Sequence, residues 1–365
     1  MTRVEEIEGL RKEVDSVDEE LVQLLRKRLN LALQLGELKK TAGLSVKDVE
    51  RERQVLAHVR KRASGLGLNP DDVEAVYEEV MAMCERGQKG RVKVAYLGPV
   101  GTFSEEAARS YFESAGADFT PCPSVHDVSR LVDVSDADFG VVPVENSLEG
   151  SYTVALGLLL ETRLMVCGEV ERRIHHNLIA KPGTRLQDIR LVVSHSQALA
   201  QCREYLERTL PKAERREVAS TARAVEMLKE LENAAAIGAM TSAKIYGMEV
   251  LAKGIEDQPN NFTRFFILGH TDCQTTGRDK TSIIFAVRDV PGALFKALEA
   301  FSTRDINLTK VESRPTRGQP WQYVFYLDFE GHKDDVKCRE ALTDLASKCI
   351  FLKVLGSYPR AVTKT

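Results

Sequence analysis

The sequence predicts a multidomain protein with an all-α helical segment at residues 1–90, a two-lobed α/β segment at 91–272 and an α+β segment at 279–365. Three observations predict this division: a heptad-like pattern at the start, short apolar runs alternating with helical stretches in the middle, and a β-α-β-β-α-β order of elements at the end. With 365 residues and 43% hydrophobic content, the chain is long enough for two or three packed domains.

The composition argues against several classes of partner. With 51 basic and 54 acidic residues the net charge is -3, so nothing attracts the chain as a whole to nucleic acid or to an anionic membrane. The first residues, MTRVEEIEGLRKEVDS, are charged and helical in pattern, and no run approaches about 18 apolar residues, which indicates a cytoplasmic protein. The seven cysteines are scattered and never spaced C-x-x-C, so we expect reduced thiols and no metal site.

An apolar stripe with heptad spacing runs along the first predicted helix, at about 5–40. A helix roughly 50 Å long cannot bury such a stripe by itself, so partner helices are needed. Arg28 occupies a stripe position where packing favours leucine, and a charge there requires a partner. Two shorter helices are predicted at about 46–62 and, capped by Asn69-Pro70, at about 70–88. The stripe consists of Ile7, Leu10, Val14, Val17, Leu21, Leu24, Leu31, Leu35 and Leu38.

Polar residues at helical spacing make this segment a candidate ligand site. Arg11 and Arg28 lie 17 residues apart, roughly 25 Å along the helix axis. If both serve one small molecule, Arg11 must come from a second copy of the helix. Two interpretations stay open: a dimer with a solvated charged face and Arg28 paired to a carboxylate, or a site for an anionic ligand. The other polar candidates are Lys39, Asp48, Arg51, Glu52, Cys84 and Gln88.

The middle segment has the pattern of an α/β protein with parallel strands. About 180 residues suffice for two small lobes with a cleft between them, as in periplasmic-binding-like folds. Small polar clusters, GTFS, ENS, SHSQ and AST, follow four of the apolar runs, which predicts one polar cleft lined by helix starts. The predicted strands are VKVAYL, ADFGVVPV, LMVCGEV, RLVVS, REVAS, AAAIGAM and FTRFFILG, and the predicted helices are SEEAARSYF, QALAQCREYLERTL and TARAVEMLKEL.

The stretch GPVGTFSEEAARS, at 98–110, joins a predicted strand to a predicted helix. It lacks the third glycine of a dinucleotide fingerprint and the Gly-Lys-Ser/Thr of a P-loop. Thr102 and Glu105 have the spacing of a capping box, which satisfies amides at the helix start. The remaining amides carry a partial positive charge, so the stretch is either a well-capped turn or a site for a carboxylate or phosphate.

The last segment has the order of the ferredoxin-like arrangement. Its strands are predicted in TSIIFAV, INLTKVESR, WQYVFYLDFE and IFLKVLGSYP, and its helices in GALFKALEAFSTR and DDVKCREALTDLASKC. By analogy of fold, a small domain of this kind at a chain end is regulatory rather than catalytic.

The first 90 residues resemble the all-helical chorismate mutase family at each polar position above. The resemblance implies that Arg28, with Arg11 of a partner chain, holds the two carboxylates of chorismate. Arg51, Asp48 and Glu52 would hold the rest of the substrate, and Lys39 and Gln88 would donate hydrogen bonds to the ether oxygen. Cys84 stands where a serine is common. A pericyclic rearrangement needs no acid, base or cofactor, only a compact substrate conformer and donors at the breaking C–O bond.

The motifs GPVGTFS, VPVENSLEGS, SHSQALAQC and NNFTRFFILG resemble the prephenate dehydratase family over about residues 92–270. The resemblance implies that the anion is a carboxylate of prephenate, and that Thr263 of the T-R-F motif donates to the leaving hydroxyl. Glu145 is the alternative acid. Arg264 either grips a carboxylate or pins its strand, and each single Ser or Asn could instead be a helix cap. The candidate substrate-binding residues are Thr102, Ser104, Asn146, Ser147, Ser194, Gln197 and Arg264.

VPGALFKALEAF and NLTKVESRP resemble the phenylalanine-binding ACT domain attached to dehydratases. The resemblance implies a homodimer or higher oligomer, with L-phenylalanine bound between paired domains as an inhibitory effector. The candidate effector-binding residues are Gly292, Ala293, Leu294, Asn307, Leu308, Glu312, Ser313 and Arg314.

Together these resemblances predict a bifunctional enzyme that converts chorismate to prephenate and prephenate to phenylpyruvate, with no cofactor. Two alternatives stay open from the sequence. One is a dehydratase that prefers arogenate, which differs from prephenate only in carrying an amine where prephenate has a ketone. The other is a sensor that binds an amino acid without turnover and uses its helical segment only to dimerise.

Overall fold

The computed structural model describes residues 3–41, 49–89, 91–315 and 323–361. The chain divides into two units, Met1–Val92 and Lys93–Thr365. None of the helices in the described ranges is long and apolar enough to cross a membrane.

The described part of the first unit is entirely helical, as predicted. Asn69 caps the third helix, because its Oδ1 accepts a hydrogen bond from the Asp71 amide at 3.0 Å. That helix packs against both of the others, and Arg60 pairs with Asp71 (2.8 Å) and Glu74 across one of these contacts. The helices are α1 (Arg3–Thr41), α2 (Val49–Gly65) and α3 (Pro70–Lys89).

The apolar stripe of α1 is not covered by the described residues of the helical unit. All nine of its residues are exposed, with Leu24 at 61% and Leu38 at 68%. The expectation that α1 cannot bury its stripe alone is confirmed.

The second unit begins with lobe 1, which comprises residues 93–173 and 262–269. Its sheet has the order β2-β1-β3-β11-β5, with β4 beside β3. The elements are β1 (Lys93–Leu97), α4 (Phe103–Tyr111), β2 (Asp118–Cys122), α5 (Val125–Asp133), β3 (Phe139–Asn146), β4 (Gly150–Ser151), α6 (Thr153–Glu161), β5 (Met165–Arg173) and, after the chain returns from lobe 2, β11 (Phe262–Gly269).

Lobe 2 comprises residues 177–252 and carries a second sheet, with the order β10-β6-β9-β7-β8. The chain enters it after β5 and leaves it before β11, so two connections join the lobes. The elements are β6 (Asn177–Ala180), β7 (Leu191–Ser194), α7 (Ser196–Gln201), α8 (Arg203–Thr209), β8 (Glu214–Glu217), α9 (Thr221–Met227), β9 (Ala234–Gly238), α10 (Met240–Tyr246) and β10 (Glu249–Ala252).

The expectation of parallel strands is correct for only part of each sheet. β1 pairs in parallel with β2 and β3, and β7 with β8 and β9. β11 runs antiparallel to β3 and β5, and β6 runs antiparallel to β9 and β10. β11 carries the chain back from lobe 2 and therefore enters lobe 1 from the opposite end. The predicted helix at 197–210 is also divided in two, at Cys202.

The C-terminal sheet confirms the ferredoxin-like order. All its strand pairs are antiparallel, and its order is β13-β14-β12-β15. One face packs on two helices, while the other shares an apolar core with lobe 1. The elements are β12 (Asp279–Ala286), α11 (Ala293–Ser302), β13 (Leu308–Pro315), β14 (Tyr323–Glu330), α12 (Val336–Lys348) and β15 (Phe351–Pro359).

A glycine permits a close approach of backbones between lobe 1 and the C-terminal sheet. A Cβ on Gly356 of β15 would lie 2.1 Å from the carbonyl oxygen of Val166 on β5. We expect Gly356→Ala to lower the free energy of unfolding by about 1–3 kcal/mol, because two backbones would have to separate. Gly157→Ala on α6 is the control, since nothing lies within 4 Å of that position. Thermal unfolding would measure both, and a parental melting temperature for Gly356→Ala would contradict the close contact.

Candidate active site

A cavity of about 300 Å³ lies between lobe 1 and lobe 2. The four polar clusters that follow apolar runs in the sequence all contribute to its lining, so the prediction of one polar cleft is confirmed. These contributions are Thr102, Phe103 and Ser104 from the first cluster, Asn146 from the second, His195 and Gln197 from the third, and Ala219, Ser220 and Thr221 from the fourth.

The start of α4 has the predicted capping box. Thr102 Oγ1 accepts from the Glu105 amide at 3.4 Å, and Glu105 accepts from the Gly101 amide at 2.6 Å. The Thr102 hydroxyl also donates to the Leu97 carbonyl at 3.0 Å. Because this hydroxyl is used within the turn, the groups that remain for an anion are the first amides of the helix.

Thr263 and Asn146 meet on neighbouring strands at the floor of the cavity. They are opposite one another in the β3–β11 register, and the Asn146 amide donates to Thr263 Oγ1 at 3.0 Å. Both are buried, with Thr263 only 4% exposed. The Thr263 oxygen therefore accepts a hydrogen bond from Asn146, and its own proton can be donated to a second group, such as the Tyr152 hydroxyl within its reach.

A chain of polar side chains extends from this pair into lobe 2. Asn146 donates to Asn261 at 2.7 Å, and Asn261 donates to Gln201 Oε1 at 2.9 Å. His176 Nε2 lies 2.9 Å from the same Gln201 oxygen. Since an amide oxygen only accepts, His176 carries its proton on Nε2. Gln201 donates in turn to Glu149 at 3.1 Å.

Tyr152, His176, Gln201 and Asn261 line the cavity but are absent from the sequence-based candidates. Each had a signal in the sequence. Asn261 directly precedes the F-T-R-F run, Gln201 lies one helical turn after Gln197, and His176 belongs to a polar cluster that follows a predicted strand. Tyr152 follows the quoted motif VPVENSLEGS directly.

Burial keeps two of these groups neutral. It raises the pKa of Tyr152, and hydrogen bonds with Thr263 and Gln197 oppose that shift only in part. Burial also lowers the pKa of His176, an effect that the hydrogen bond to Gln201 only partly offsets. The site thus holds a protonated phenol and a neutral imidazole at neutral pH.

Glu145 and Arg264 lie on the opposite face of the β3–β11 pair from the cavity. The Arg264 guanidinium bonds Glu169, Asp328 and Tyr358, while Glu145 pairs with Lys310 at 2.8 Å. Side chains of a strand alternate between faces, so the neighbours of Asn146 and Thr263 necessarily turn away. This corrects the candidate list: Glu145 is not placed to act as an acid in the cavity, and Arg264 pins its strand instead of gripping a carboxylate.

Two candidate serines serve the fold. Ser147 Oγ donates to the Asn260 carbonyl at 3.0 Å and accepts from the Phe262 amide at 2.9 Å. Ser194 Oγ is fully buried and donates to the Ile237 carbonyl at 2.8 Å. Neither serine is among the residues that line the cavity in the described part of the chain.

Arg28 of α1 is half-buried against α3. Its guanidinium lies 2.9 Å from Cys84 Sγ and 3.4 Å from the Val80 carbonyl. Neither of these two partners is charged, so among the described residues Arg28 lacks the carboxylate partner that one interpretation of the sequence required. The positive charge of Arg28 is therefore not neutralised by these contacts.

The remaining candidates of the helical unit are distributed along all three helices. Arg11 is exposed on α1, and Lys39 near its end is half-buried. On α2, Arg51 is exposed and contacts Gln54 at 3.4 Å, and Glu52 is half-buried. Asp48 and the side chain of Gln88 lie outside the described residues.

The structure separates the effector candidates into two groups. Ala293 and Leu294, at the start of α11, line a cavity of about 370 Å³ with Arg288 and Phe325. They follow Gly292, which has a left-handed backbone with φ of +80°.

Glu312 and Arg314 on β13 instead contact the stretch 151–153 of lobe 1. Between them Ser313 is exposed on the other face. Asn307 is exposed and Leu308 half-buried in the core beneath α11 and α12.

Among the described residues, no group of three or more His, Cys, Asp or Glu side chains is placed to hold a metal ion.

Comparison with known proteins matches each segment to a family model. These are chorismate mutase type II at residues 10–89, prephenate dehydratase at 94–273 and the ACT domain at 281–347. A bifunctional chorismate mutase/prephenate dehydratase from Aquifex aeolicus is 42% identical over 98% of this chain and 99% of its own length. The chain belongs to the bifunctional chorismate mutase/prephenate dehydratase family. It therefore catalyses both reactions, the mutase step in its helical unit and the dehydratase step in the α/β segment.

Two further relatives agree with this assignment. The bifunctional chorismate mutase/prephenate dehydratase of Pseudomonas aeruginosa is 40% identical over 99% of this chain and all of its own length. A solved prephenate dehydratase from Arthrobacter aurescens, in complex with L-Phe, superposes with a TM-score of 0.69 at 36% identity, covering 74% of this chain and 90% of that one.

The buried His176 predicts a pH dependence of stability. Because its pKa is lowered on folding, the unfolded chain binds a proton more readily, and stability falls as the pH drops below about 6.5. We expect His176→Gln to flatten this dependence of the melting temperature between pH 7.5 and 5.5. His126→Gln, at an exposed position on α5, is the control and should leave it unchanged. An unaltered slope in His176→Gln would assign the effect to another group.

Proposed function

We propose that Arg28 and, from a second copy of the chain, Arg11 hold the two carboxylates of chorismate. Arg51, Asp48 and Glu52 would bind the rest of the substrate, Lys39 and Gln88 would donate to the ether oxygen, and Cys84 would orient Arg28. Two observations support the proposal. The described partners of Arg28 carry no charge, and the nine apolar residues of the α1 stripe are exposed.

The exposed stripe supports a homodimer, or a higher oligomer built on it. Burying nine aliphatic side chains against a second copy of α1 provides a large hydrophobic driving force. It also brings Arg11 of the second chain to the site, because Arg11 of the same chain lies too far along α1 from Arg28. The reaction then requires only that these charges hold chorismate in its compact conformer and stabilise the charge on the breaking bond.

In the dehydratase cavity we propose that Thr263 donates a hydrogen bond to the leaving hydroxyl of prephenate. The observation that carries this assignment is the place of Thr263 on the cavity lining, where its Oγ1 accepts from Asn146 and its proton, shared with the neighbouring Tyr152 hydroxyl, can turn to the substrate. The first amides of α4, with Ser104, would hold a carboxylate, Gln197 would donate from the lobe 2 wall, and Tyr152 would donate from lobe 1 beside Thr263.

The chemistry of the step fits such a site. Loss of CO₂ and hydroxide leaves an aromatic ring, but hydroxide leaves poorly without a donor. A cavity between two lobes shields the bound carboxylate from part of the surrounding water and so favours its departure as CO₂.

We propose that L-phenylalanine is the inhibitory effector and binds at the ACT segment. The support is the ACT match, the L-Phe complex of the Arthrobacter aurescens relative, and the cavity at Ala293 and Leu294. We further propose domain boundaries of 1–90, 91–272 and 279–365, and a cytoplasmic location.

A paired assay of chorismate loss and phenylpyruvate formation tests both site assignments. We expect Arg28→Ala to lower the mutase rate by at least about 100-fold without changing the dehydratase rate, because it removes a charge from one site only. We expect Thr263→Ala to do the reverse, and L-phenylalanine to inhibit the dehydratase step of the parent.

In each variant, the rate of the reaction that is not targeted is the control for folding: the dehydratase rate in Arg28→Ala and the mutase rate in Thr263→Ala. A parental mutase rate in Arg28→Ala, or a parental dehydratase rate in Thr263→Ala, would contradict the corresponding assignment. Faster turnover of arogenate than of prephenate by the parent would instead establish the arogenate-preferring alternative.

Mixing variants tests whether the two arginines come from different chains. Arg11→Ala and Arg28→Ala should each be inactive as mutases. In a random mixture of refolded dimers, half are mixed, and each of these has one intact site, so about one quarter of the parental rate should return. If no activity returns in a mixture shown to contain mixed dimers, one site does not combine Arg28 of one chain with Arg11 of the other, and the proposal fails.

A further inference from the structure

Three residues at the dehydratase cavity are each adjacent in sequence to a residue that forms a hydrogen bond or ion pair with the C-terminal sheet. Asn146 follows Glu145, Thr263 precedes Arg264, and Tyr152 lies between Ser151 and Thr153. Because side chains of β3 and β11 alternate between faces, the cavity lies on one side of these strands and the C-terminal sheet on the other. The floor of the cavity is thus held from behind by another domain.

Arg264 is the centre of this attachment. It is 8% exposed, and Nε donates to Glu169 at 2.7 Å, one terminal nitrogen to Asp328 at 2.6 Å and the other to the Tyr358 hydroxyl at 2.9 Å. Asp328 and Tyr358 lie on β14 and β15. Three nitrogens of one planar guanidinium are therefore fixed by three strands, which leaves the side chain little freedom.

The partners of Arg264 are themselves fixed. Ser282 on β12 donates to Asp328 at 2.6 Å and lies 2.5 Å from the Tyr358 hydroxyl. Lys280 donates to Glu169 at 3.0 Å, so the two buried cations are balanced by two buried carboxylates. Burial alone would raise the pKa of Asp328, but the charge of Arg264 and the Ser282 hydroxyl outweigh it and hold this pKa low.

A second attachment lies at the neighbouring edge. Lys310 on β13 pairs with Glu145 at 2.8 Å and donates to Ser151 Oγ at 2.6 Å. Arg314 donates to Thr153 Oγ1 at 2.7 Å and to the Ser151 carbonyl at 3.3 Å. These contacts hold the stretch that presents Tyr152 to the cavity.

We propose that Arg264 is a positioning residue for the dehydratase reaction, which places Thr263 through the β11 backbone and depends on Asp328 and Tyr358 of the C-terminal sheet to do so. The proposal rests on the role assigned to Thr263 above. It makes the C-terminal sheet part of the structure that orders the dehydratase site, whether or not an effector is bound.

Two variants that keep the shape of the cluster test this proposal in the full chain. Asp328→Asn removes a charge, and Tyr358→Phe removes one hydroxyl. We expect the dehydratase kcat to fall about tenfold in Asp328→Asn and about threefold in Tyr358→Phe, with KM within about twofold, because a small misplacement of a reacting group slows chemistry more than binding. Asp344→Asn is the matched control, since Asp344 accepts from Arg304 at 3.2 Å within the C-terminal domain, and should keep the parental kcat.

Combination with Thr263→Ala separates positioning from a general structural role. If the cluster acts through Thr263, Asp328→Asn should cost no further activity once the threonine hydroxyl is absent, whereas independent damage would multiply the two losses. Calorimetry and the mutase rate would show that the variants are folded.

The outcomes are distinct. If Thr263→Ala retains the parental kcat, the assignment of Thr263 fails and this proposal fails with it. If Thr263→Ala is inactive while both cluster variants keep the parental kcat, only the positioning role is overturned. The positioning role is also overturned if the losses of kcat multiply when Asp328→Asn is combined with Thr263→Ala. It is overturned as well if each loss of kcat only matches the fraction of unfolded protein.

Discussion

The alternation of side chains along paired strands is the constraint on which the catalytic α/β segment depends. β3 and β11 are interior strands of the lobe 1 sheet, and most residues on both faces of this pair are buried. One face closes the cavity with Asn146 and Thr263, and the other carries the buried Arg264 and the half-buried Glu145. Buried charges are tolerated only when paired, and the C-terminal sheet supplies the partners. The two strands that form the floor of the cavity are therefore stabilised by the C-terminal sheet that packs behind them.

The helical unit meets the opposite difficulty, because it has more apolar surface than it can cover. α3 packs on α1 and α2, yet the heptad stripe of α1 stays exposed within one chain. A long helix also separates Arg11 from Arg28 by far more than the span of chorismate. The proposed association of two copies would resolve both difficulties together, since the surface that needs burial lies on the same helix as the arginines. Stability and catalysis in this unit would then share one interface.

The two reactions call for different sites, and the residues reflect this. A rearrangement within one molecule needs fixed charges and a shape, which the arginines of α1 and α2 can provide. A reaction that expels hydroxide and CO₂ needs donors at the leaving group, and the described residues that line the cavity supply hydroxyls, amides and helix starts. The neutral state of His176 and Tyr152 follows from the same burial.

The sequence by itself determined the three segments, strands such as β1, β7 and β11, the helix cap at Thr102 and the convergence of four polar clusters on one cleft, because these depend on periodicity and on local hydrogen bonds. It also brought Thr263, Asn146 and Gln197 into the candidate site. It did not indicate the short strands β2, β4, β6 and β10. The tertiary structure alone decided that Arg264 and Glu145 turn away from the cavity, that Glu312 and Arg314 contact lobe 1, and that His176, Gln201 and Asn261 form one hydrogen-bonded chain. Alternation shows that Thr263 and Arg264 face opposite sides, but what covers each side depends on elements distant in sequence. Local sequence patterns contain no information about that packing. The sequence therefore identified Thr263 and Arg264 as candidates but could not assign a role to each.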